Sequence, residues 1–260
     1  MTRPFSAGDR VLLMDSKKRR HLVTLADGGE FHSHSGVVAH DDIIGRDEGV
    51  AVRSTRGSRY TVIRPTLADF VLKMPRGAQV IYPKDLGPIV MLADLFPGAR
   101  VLESGVGSGA LSATILRAIG PTGHLTGYEL RAEFGDRARR NVESFLGPDL
   151  PYDIEVRDVY EGIDEHDLDR ILLDLPEPWQ VVPHAEKALR PGGILVCYLP
   201  TIVQVARLHE ALEPSAFGLT ETLEVMQRTW HIEGQSVRPD HRMVAHTGFL
   251  THTRLLARED

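Results

Sequence analysis

The sequence has little of what marks a secreted, membrane or disordered protein. Among 260 residues there is a single cysteine, Cys197, which excludes an internal disulfide and fits a reducing compartment. The longest apolar runs, such as residues 193–199, fall well short of the ~20 residues that cross a bilayer. No apolar segment of the secretory type follows Met1. We therefore expect a cytoplasmic protein with no membrane partner.

The chain also lacks an excess of positive charge. It has 30 Lys+Arg against 36 Asp+Glu and a net charge of −6, which argues against nucleic-acid binding by charge excess alone. Residues 1–70 differ, since they hold 11 Lys+Arg against 9 Asp+Glu and include the basic run at 17–20. A basic cluster on an acidic protein indicates either a local phosphate contact or a solvated loop.

Two patterns of hydrophobicity divide the chain. Residues 1–65 form short β-rich segments separated by turn residues, which is typical of a small antiparallel barrel or sandwich. After Pro97, strands alternate with helices, which predicts an α/β domain with a mostly parallel, doubly wound sheet. Two late β segments, around residues 220–232 and 247–256, would add an antiparallel hairpin at one edge. We expect a small all-β domain, residues 1–65, followed by a large domain, residues 66–260.

The first strand of the large domain runs into a glycine-rich turn. Gly105, Gly107 and Gly109 alternate shortly after Glu103. Glycines let the backbone turn sharply and let a ligand lie against it without a Cβ clash. The spacing is not the G-x-G-x-x-G of dinucleotide-binding folds. A carboxylate at position 103 would repel a pyrophosphate, but it suits the cationic amino group and sulfonium of S-adenosylmethionine.

Acidic residues also end the next two strands. Glu129 ends the second strand, where an acid can accept hydrogen bonds from both ribose hydroxyls. Asp158 follows the third strand, where an acid can accept from an adenine amino group. The alternatives are a nicotinamide dinucleotide and a plain glycine-rich turn with three surface acids. Because three acids fall at three predicted strand ends, we favour S-adenosylmethionine as the cofactor.

The fourth strand ends in Asp174, followed by a Pro-rich, aromatic turn that can wall a pocket for a planar base. Alkylation of a neutral ring nitrogen, such as N1 of adenine, produces a cation, and a nearby carboxylate stabilises it or accepts a proton. Asp174 is therefore the candidate catalytic residue, and its alternative role is a helix N-cap. Tyr82 is a candidate for the base pocket or for the core. His32 and His34 share one strand face, but no further ligands with metal spacing follow, so we expect no metal site.

Several longer motifs extend beyond these single positions. They are spread over nearly the whole chain, at residues 28–36, 74–85, 101–111, 128–129, 174–179, 198–201 and 246–250. Together they resemble the tRNA (adenine-58-N1)-methyltransferase family, often called TrmI. The glycine loop alone is generic to methyltransferases, whereas Tyr-Pro-Lys-Asp at 82–85, Asp-Leu-Pro-Glu-Pro-Trp at 174–179 and the tail at 246–250 are specific together. One departure is Ala245, where many members have glycine.

The resemblance implies a Rossmann-like class I methyltransferase that methylates N1 of adenosine 58 in the T-loop of tRNA. It implies a homotetramer in which the N-terminal β domain helps to hold the tRNA. It implies that Asp174 is catalytic and that Tyr82 lies beside the target base. It also places residues along the cofactor, namely Ser108, Gly109, Ala110, Leu111, Glu129, Phe134 and Asp158.

Two other functions remain open. One is an S-adenosylmethionine-dependent methyltransferase that acts on another RNA, a protein or a small molecule. The N-terminal β domain and its basic cluster disfavour it. The other is an RNA-binding subunit with a decayed catalytic domain. The intact glycine loop, which with Asp174 would also line the cofactor, disfavours that interpretation.

Overall fold

The computed structural model describes residues 3–77 and 79–257. The chain divides into an N-terminal unit that ends at Met74 and a C-terminal unit that begins at Pro75. Among the described residues, no helix combines the length and apolar content that crossing a bilayer requires. In the same part of the chain, no three His, Cys, Asp or Glu side chains are grouped to hold a metal ion.

The N-terminal unit is built from short antiparallel strands, so the predicted all-β domain is confirmed. Its main sheet has the order β2-β1-β6-β5, and β3 and β4 form a separate hairpin. The elements are β1 Arg10–Asp15, β2 Arg20–Thr24, β3 Glu30–Ser33, β4 Gly36–Ala39, β5 Ala51–Arg53, β6 Arg59–Ile63 and α1 Leu67–Lys73.

Helix α1 packs with these strands. Thr66 and Asp69 form a capping box at its start, and Asp69 also pairs with Arg20 of β2. The guanidinium of Arg10 lies 5.3 Å from the ring centre of Phe70. The sequence-based boundary after residue 65 stays a prediction, and the compact unit extends past it to include α1.

The C-terminal unit is a seven-stranded, mostly parallel sheet with helices, as the alternation of strands and helices predicts. The strand order is β12-β15-β11-β10-β7-β8-β9. The elements are α2 Pro83–Leu92, β7 Arg100–Ser104, α3 Ala110–Ile119, β8 His124–Glu129, α4 Ala132–Leu146, β9 Tyr152–Val156, β10 Leu168–Leu173, α5 Val182–Ala188, β11 Leu189–Leu199, α6 Ile202–Leu212, β12 Phe217–Glu224, β13 Trp230–Glu233, β14 Ser236–Pro239 and β15 Phe249–Leu255.

The central strands β7, β8, β10 and β11 run parallel and are buried over most of their length, as expected of strands covered on both faces. Because parallel strands end at the same edge, the turns after β7, β8, β9 and β10 collect there. A ligand site is expected at this edge.

The antiparallel edge differs from the predicted hairpin in one respect. β12 and β15 pair antiparallel, as expected, with β15 also antiparallel to β11. The predicted segment 220–232, however, is not one strand, because β12 ends at Glu224 and β13 begins a separate two-stranded sheet with β14. Local β propensity marks both stretches, but it does not show that the chain changes sheets between them.

Candidate active site

The glycine loop makes the sharp turn that its spacing predicts. Gly105, Gly107 and Gly109 all have positive φ, at 87°, 57° and 85°, in the region that favours glycine. A Cβ at Gly105 would overlap the carbonyl oxygen of Asp174, and one at Gly109 would lie 3.1 Å from the Cα of Ala138. At both positions, backbone from a neighbouring segment occupies the space that a side chain would need.

Glu129 holds this loop in place. One carboxylate oxygen accepts a hydrogen bond from the Gly107 amide at 3.0 Å, and the other accepts from the Arg131 amide at 3.1 Å. Arg131 in turn lies 3.6 Å over the ring of Phe134, at the start of α4. The predicted residues Glu129 and Phe134 thus lie on one side of the loop. Each carboxylate oxygen keeps a further lone pair for a ligand hydroxyl.

Glu103 is fully buried beneath the loop. Neither of its carboxylate oxygens has a hydrogen-bond partner of good geometry among the described residues, and Ser112 lies nearby. Burial raises its pKa to about 8; the nearby Ser112 opposes this shift in part, whereas Asp174 and Glu129 add to it through like charge. An unpartnered buried carboxyl group among other acids fits a cationic ligand, such as the amino group and sulfonium of S-adenosylmethionine.

The other predicted cofactor residues lie around the same turn. Ala110 and Leu111 open α3 and are buried. The hydroxyl of the buried Ser108 accepts a hydrogen bond from the Gly77 amide at 3.1 Å, which ties the segment before α2 to the loop. Asp158 has a structural contact as well, because it caps a short 3₁₀ turn by accepting from the Tyr160 amide at 2.9 Å.

Asp174 occupies the end of β10, beside the loop. Its backbone amide donates to the carbonyl of Ser104 at 2.9 Å, which continues the pairing of β10 with β7. Its side chain caps no helix, because the next 3₁₀ turn begins after Glu177 without a side-chain cap. The residue is half-buried, but its carboxyl group is largely shielded from water, which raises its pKa to about 7.

Asp174 and Tyr82 line a common cavity of about 440 Å³. The structure therefore brings together the two residues that the sequence assigned to the reacting centre. The remaining lining residues come from the segment before α2, the end of β11 and the tail motif, namely Gln79, Val80, Ile81, Tyr198, Pro200, His246 and Thr247. Sequence reasoning gave the last four no role, although they belong to motifs that carry the family resemblance.

A buried ion pair supports one wall of this cavity. Lys84 and Asp85, whose side chains are 2% and 0% exposed, pair at 2.7 Å. Lys84 also donates to the carbonyl of Val225 at 2.6 Å, and Asp85 accepts from the Thr247 hydroxyl at 2.6 Å. The Tyr-Pro-Lys-Asp motif thus anchors two distant segments of the chain, residues 224–225 and 246–247.

Two family models match the chain. One described as the tRNA methyltransferase complex GCD14 subunit matches residues 59–247, and one described as TrmI-like N-terminal matches residues 4–52. The tRNA (adenine(58)-N(1))-methyltransferase TrmI of Thermus thermophilus is 40% identical over 250 residues, covering 94% of this chain and 96% of the relative. The tRNA (adenine(57)-N(1)/adenine(58)-N(1))-methyltransferase TrmI of Methanocaldococcus jannaschii is 36% identical and covers 94% of each.

Solved structures show the same likeness over nearly the whole chain. The tRNA (m1A58) methyltransferase TrmI of Aquifex aeolicus has a TM-score of 0.86 and 30% identity, covering 98% of this chain and 100% of the other. A structure from Thermotoga maritima, described as a SAM-dependent O-methyltransferase, has a TM-score of 0.94 and 34% identity, covering 98% and 96%. The matched families, the identities and the shared fold agree, and the chain belongs to the TrmI and GCD14 family of tRNA methyltransferases.

Proposed function

We propose that this protein transfers a methyl group from S-adenosylmethionine to N1 of adenosine 58 in the T-loop of tRNA. The observation that carries the proposal is the position of Asp174. Its backbone lies directly against Gly105 of the glycine loop, and the residue lines a cavity of about 440 Å³ walled by Tyr82 and Tyr198. A methyl donor bound at the glycine loop and a planar base bound in the cavity would therefore meet at Asp174. A tRNA substrate also implies a cytoplasmic location.

The donor side is formed by the glycine loop and the acids around it. S-adenosylmethionine supplies, when bound, an electrophilic methyl group on a sulfonium. Glu103 is proposed to accept from its amino group, because this buried carboxyl lacks a partner within the described residues. Glu129 is proposed to bind the ribose, and Asp158 the adenine. Gly105, Gly107, Ser108, Gly109, Ala110, Leu111 and Phe134 are proposed to line the rest of the site.

The acceptor side depends on Asp174 and the two tyrosines. Tyr82 and Tyr198 offer aromatic surface to a base that has left its stack, which offsets part of the unstacking free energy. When N1 gains the methyl group, the ring becomes positively charged, and the Asp174 carboxylate stabilises this charge or accepts a proton from the 6-amino group. With a pKa of about 7 in the donor-free protein, the carboxylate form increases as the pH rises through 7.

A second candidate function is methyl transfer to another RNA or to a small molecule. The observation that supports this second candidate is that the similar Thermotoga maritima structure is described as an O-methyltransferase. An oxygen nucleophile would have to lose a proton, whereas N1 of adenine already has a free lone pair. The identity of the product nucleoside therefore separates the two candidates.

The N-terminal unit is proposed to contact the tRNA backbone. It has a surface cavity of about 430 Å³ lined by Arg19, His21, Ser33, Tyr60 and others, including His32 and His34. Arg19 belongs to the basic run 17–20, in the turn between β1 and β2. Cationic side chains beside aromatic and imidazole rings are typical of a surface that binds single-stranded RNA.

The protein is proposed to form a homotetramer, in which a second copy covers the hairpin of β13 and β14. Trp230 and Ile232 share one face of this hairpin with their cross-strand partners Pro239 and Val237. Trp230, Ile232 and Val237 are 56%, 73% and 60% exposed. A two-stranded hairpin is marginally stable alone in water, so an apolar face of this size needs a partner surface.

The first prediction concerns Glu103 and donor binding. Since its pKa is about 8 in the donor-free protein, Glu103 is mostly neutral at pH 6 and must release a proton to pair with an ammonium group. Affinity for S-adenosylhomocysteine should rise between pH 6 and 7.5, by up to about tenfold per pH unit. Isothermal titration calorimetry in two buffers should detect proton release that Glu103→Gln lowers, with Asp174 as the remaining source. The exposed acid Glu133 provides the control Glu133→Gln, and an unchanged proton release in Glu103→Gln would contradict the assignment.

The second prediction concerns the reaction itself. The protein should convert adenosine 58 of unmodified tRNA to 1-methyladenosine, as nucleoside mass spectrometry measures, and should leave tRNA with A58 replaced unmethylated at that position. Asp174→Ala should bind the donor nearly normally but lower the single-turnover rate by about 100-fold or more, because charge stabilisation and proton transfer are lost. Glu177→Ala, in the same turn but exposed, is the matched control. Near-normal turnover by Asp174→Ala would remove Asp174 from the chemistry.

The third prediction concerns the basic turn. Lys17→Gln combined with Lys18→Asn removes two charges, and asparagine tolerates the positive φ of 60° at position 18. The double variant should bind tRNA more weakly, and the slope of log affinity against log salt should fall by about 1 for each phosphate that the turn no longer neutralises. Donor binding should not change. Lys187→Gln on α5 is the control, and equal tRNA binding by both variants would exclude the turn from the RNA interface.

The fourth prediction concerns assembly. Ile232→Lys places a charge on the apolar face of the hairpin and should convert the tetramer to smaller species in sedimentation equilibrium. His231→Lys places the same charge on the opposite face, next to Arg238, and should remain a tetramer. A wild-type protein that sediments as a monomer would refute the tetramer, and a tetrameric Ile232→Lys would show that this face is not an interface.

A further inference from the structure

His246 makes two hydrogen bonds that a neutral imidazole cannot donate together. Its Nε2 lies 2.8 Å from the carbonyl oxygen of Pro200, and its Nδ1 lies 2.7 Å from a carboxylate oxygen of Glu224. A carbonyl only accepts, so Nε2 carries a proton. A neutral ring has one N–H, and glutamate carboxyls ionise at about pH 4.3. Both contacts are satisfied at neutral pH when the ring is an imidazolium.

The surroundings of His246 agree with this state. Its hydrogen bond to Glu224 and then the Pro200 carbonyl raise its pKa above the ordinary value, while partial desolvation and the charge of Lys84 oppose the shift. The other titratable groups on the cavity that it lines are Asp174, Tyr82 and Tyr198. The side chain of His246 is 48% exposed, so it exchanges protons with solvent readily.

His246 connects three segments of the chain, two of which line the target cavity. Glu224 ends β12, Pro200 follows β11, and His246 itself begins the tail motif that leads into β15. Pro200, His246 and Thr247 all line the cavity. The bond to Pro200 therefore fixes how far apart the two walls lie, and the bond to Glu224 holds the ring in place.

We infer that His246 is a positioning residue, which as an imidazolium holds the tail wall of the cavity against the end of β11 and so shapes the pocket for the target base. This rests on the proposed function, which assigns the cavity to the base. Loss of one ring proton breaks one of the two hydrogen bonds. The remaining proton stays with the stronger acceptor, the Glu224 carboxylate, so the bond to Pro200 is lost and that wall is released. Binding of the tRNA nucleotide then weakens, whereas the donor site on the other side of Asp174 is unaffected.

The sign of the pH effect is opposite to that of Asp174. The His246 contribution is complete below its raised pKa and is lost as the pH rises through it. The Asp174 carboxylate instead increases as the pH rises through about 7. Together they give a bell-shaped dependence of kcat/KM for tRNA, whose alkaline limb belongs to His246.

The test combines NMR of the histidine rings with the pH profile. In the wild type, the titration of His246 should give a pKa above that of a free imidazole, and the alkaline limb of kcat/KM for tRNA should lie at the same pH. Glu224→Gln keeps an acceptor oxygen but removes the charge, so both the NMR pKa and the limb should move down together, by about half a pH unit or more. His246→Gln should remove the limb and lower kcat/KM about tenfold at pH 7, mainly through KM.

His209→Gln is the matched control. His209 on α6 also makes a ring hydrogen bond, to the Thr222 hydroxyl at 2.9 Å, but it lies outside the cavity lining. The alkaline limb of kcat/KM in His209→Gln should therefore stay at the wild-type pH. An alkaline limb that stays fixed in Glu224→Gln while the NMR pKa moves would overturn the inference and leave the proposed function standing. A wild-type pKa no higher than that of a free imidazole would also overturn it. A wild type that methylates no tRNA at any pH would refute the proposed function instead, and with it the role of the cavity wall.

Discussion

The close approach of Gly105 to the backbone of Asp174 is the constraint on which the site depends. β7 and β10 are parallel neighbours in register, with Ser104 opposite Leu173, so their two carboxyl ends stop side by side. Any Cβ at position 105 would overlap the Asp174 carbonyl oxygen, and therefore only glycine lets both turns leave the sheet at this spacing. The glycine loop and Asp174 are thus neighbours because of strand pairing, before any ligand binds. This preorganisation is what alignment of two reactants requires.

The acids around this contact explain why a cation is the expected ligand. Glu103 and Asp174 have raised pKa values because burial disfavours their charged forms, and the charge of Asp174 adds to the shift at Glu103. In the folded protein, burial favours the neutral, protonated form of each of these carboxyl groups. A positive charge bound nearby would lower their pKa values and so favour ionisation. A dinucleotide pyrophosphate is negatively charged, so it would raise the pKa values of these carboxyl groups further. The electrostatics of the edge therefore favour the proposed sulfonium donor and, in the cavity that Asp174 lines, the proposed base that becomes positively charged.

The arrangement around the glycine loop could be predicted from the sequence better than the cavity wall opposite it, for a physical reason. Gly105, Glu103 and Glu129 are placed by strand ends and turn chemistry, which are local features of the chain. The opposite wall joins Tyr82, Tyr198 and the tail at His246, and which of these meet depends on the order of strands in the sheet. The order of the strands in the sheet cannot be deduced from the spacing of residues along the sequence. The predicted β segment at residues 220–232 divides into two strands that the sequence does not separate for the same reason, because both pieces have β propensity and only tertiary pairing separates them.

The buried pair of Lys84 and Asp85 shows how the acceptor wall is kept in place. A buried ion pair is weak support for stability, since desolvation offsets most of its attraction, and apolar residues of similar size often serve the fold as well. Apolar residues, however, could not hold the Val225 carbonyl and the Thr247 hydroxyl, which mark the two ends of the segment that carries β13 and β14. Positional specificity is therefore the better account of the pair. The same two ends also meet at Glu224 and His246, so the ends of the hairpin segment are fixed beside the cavity wall by two separate contacts.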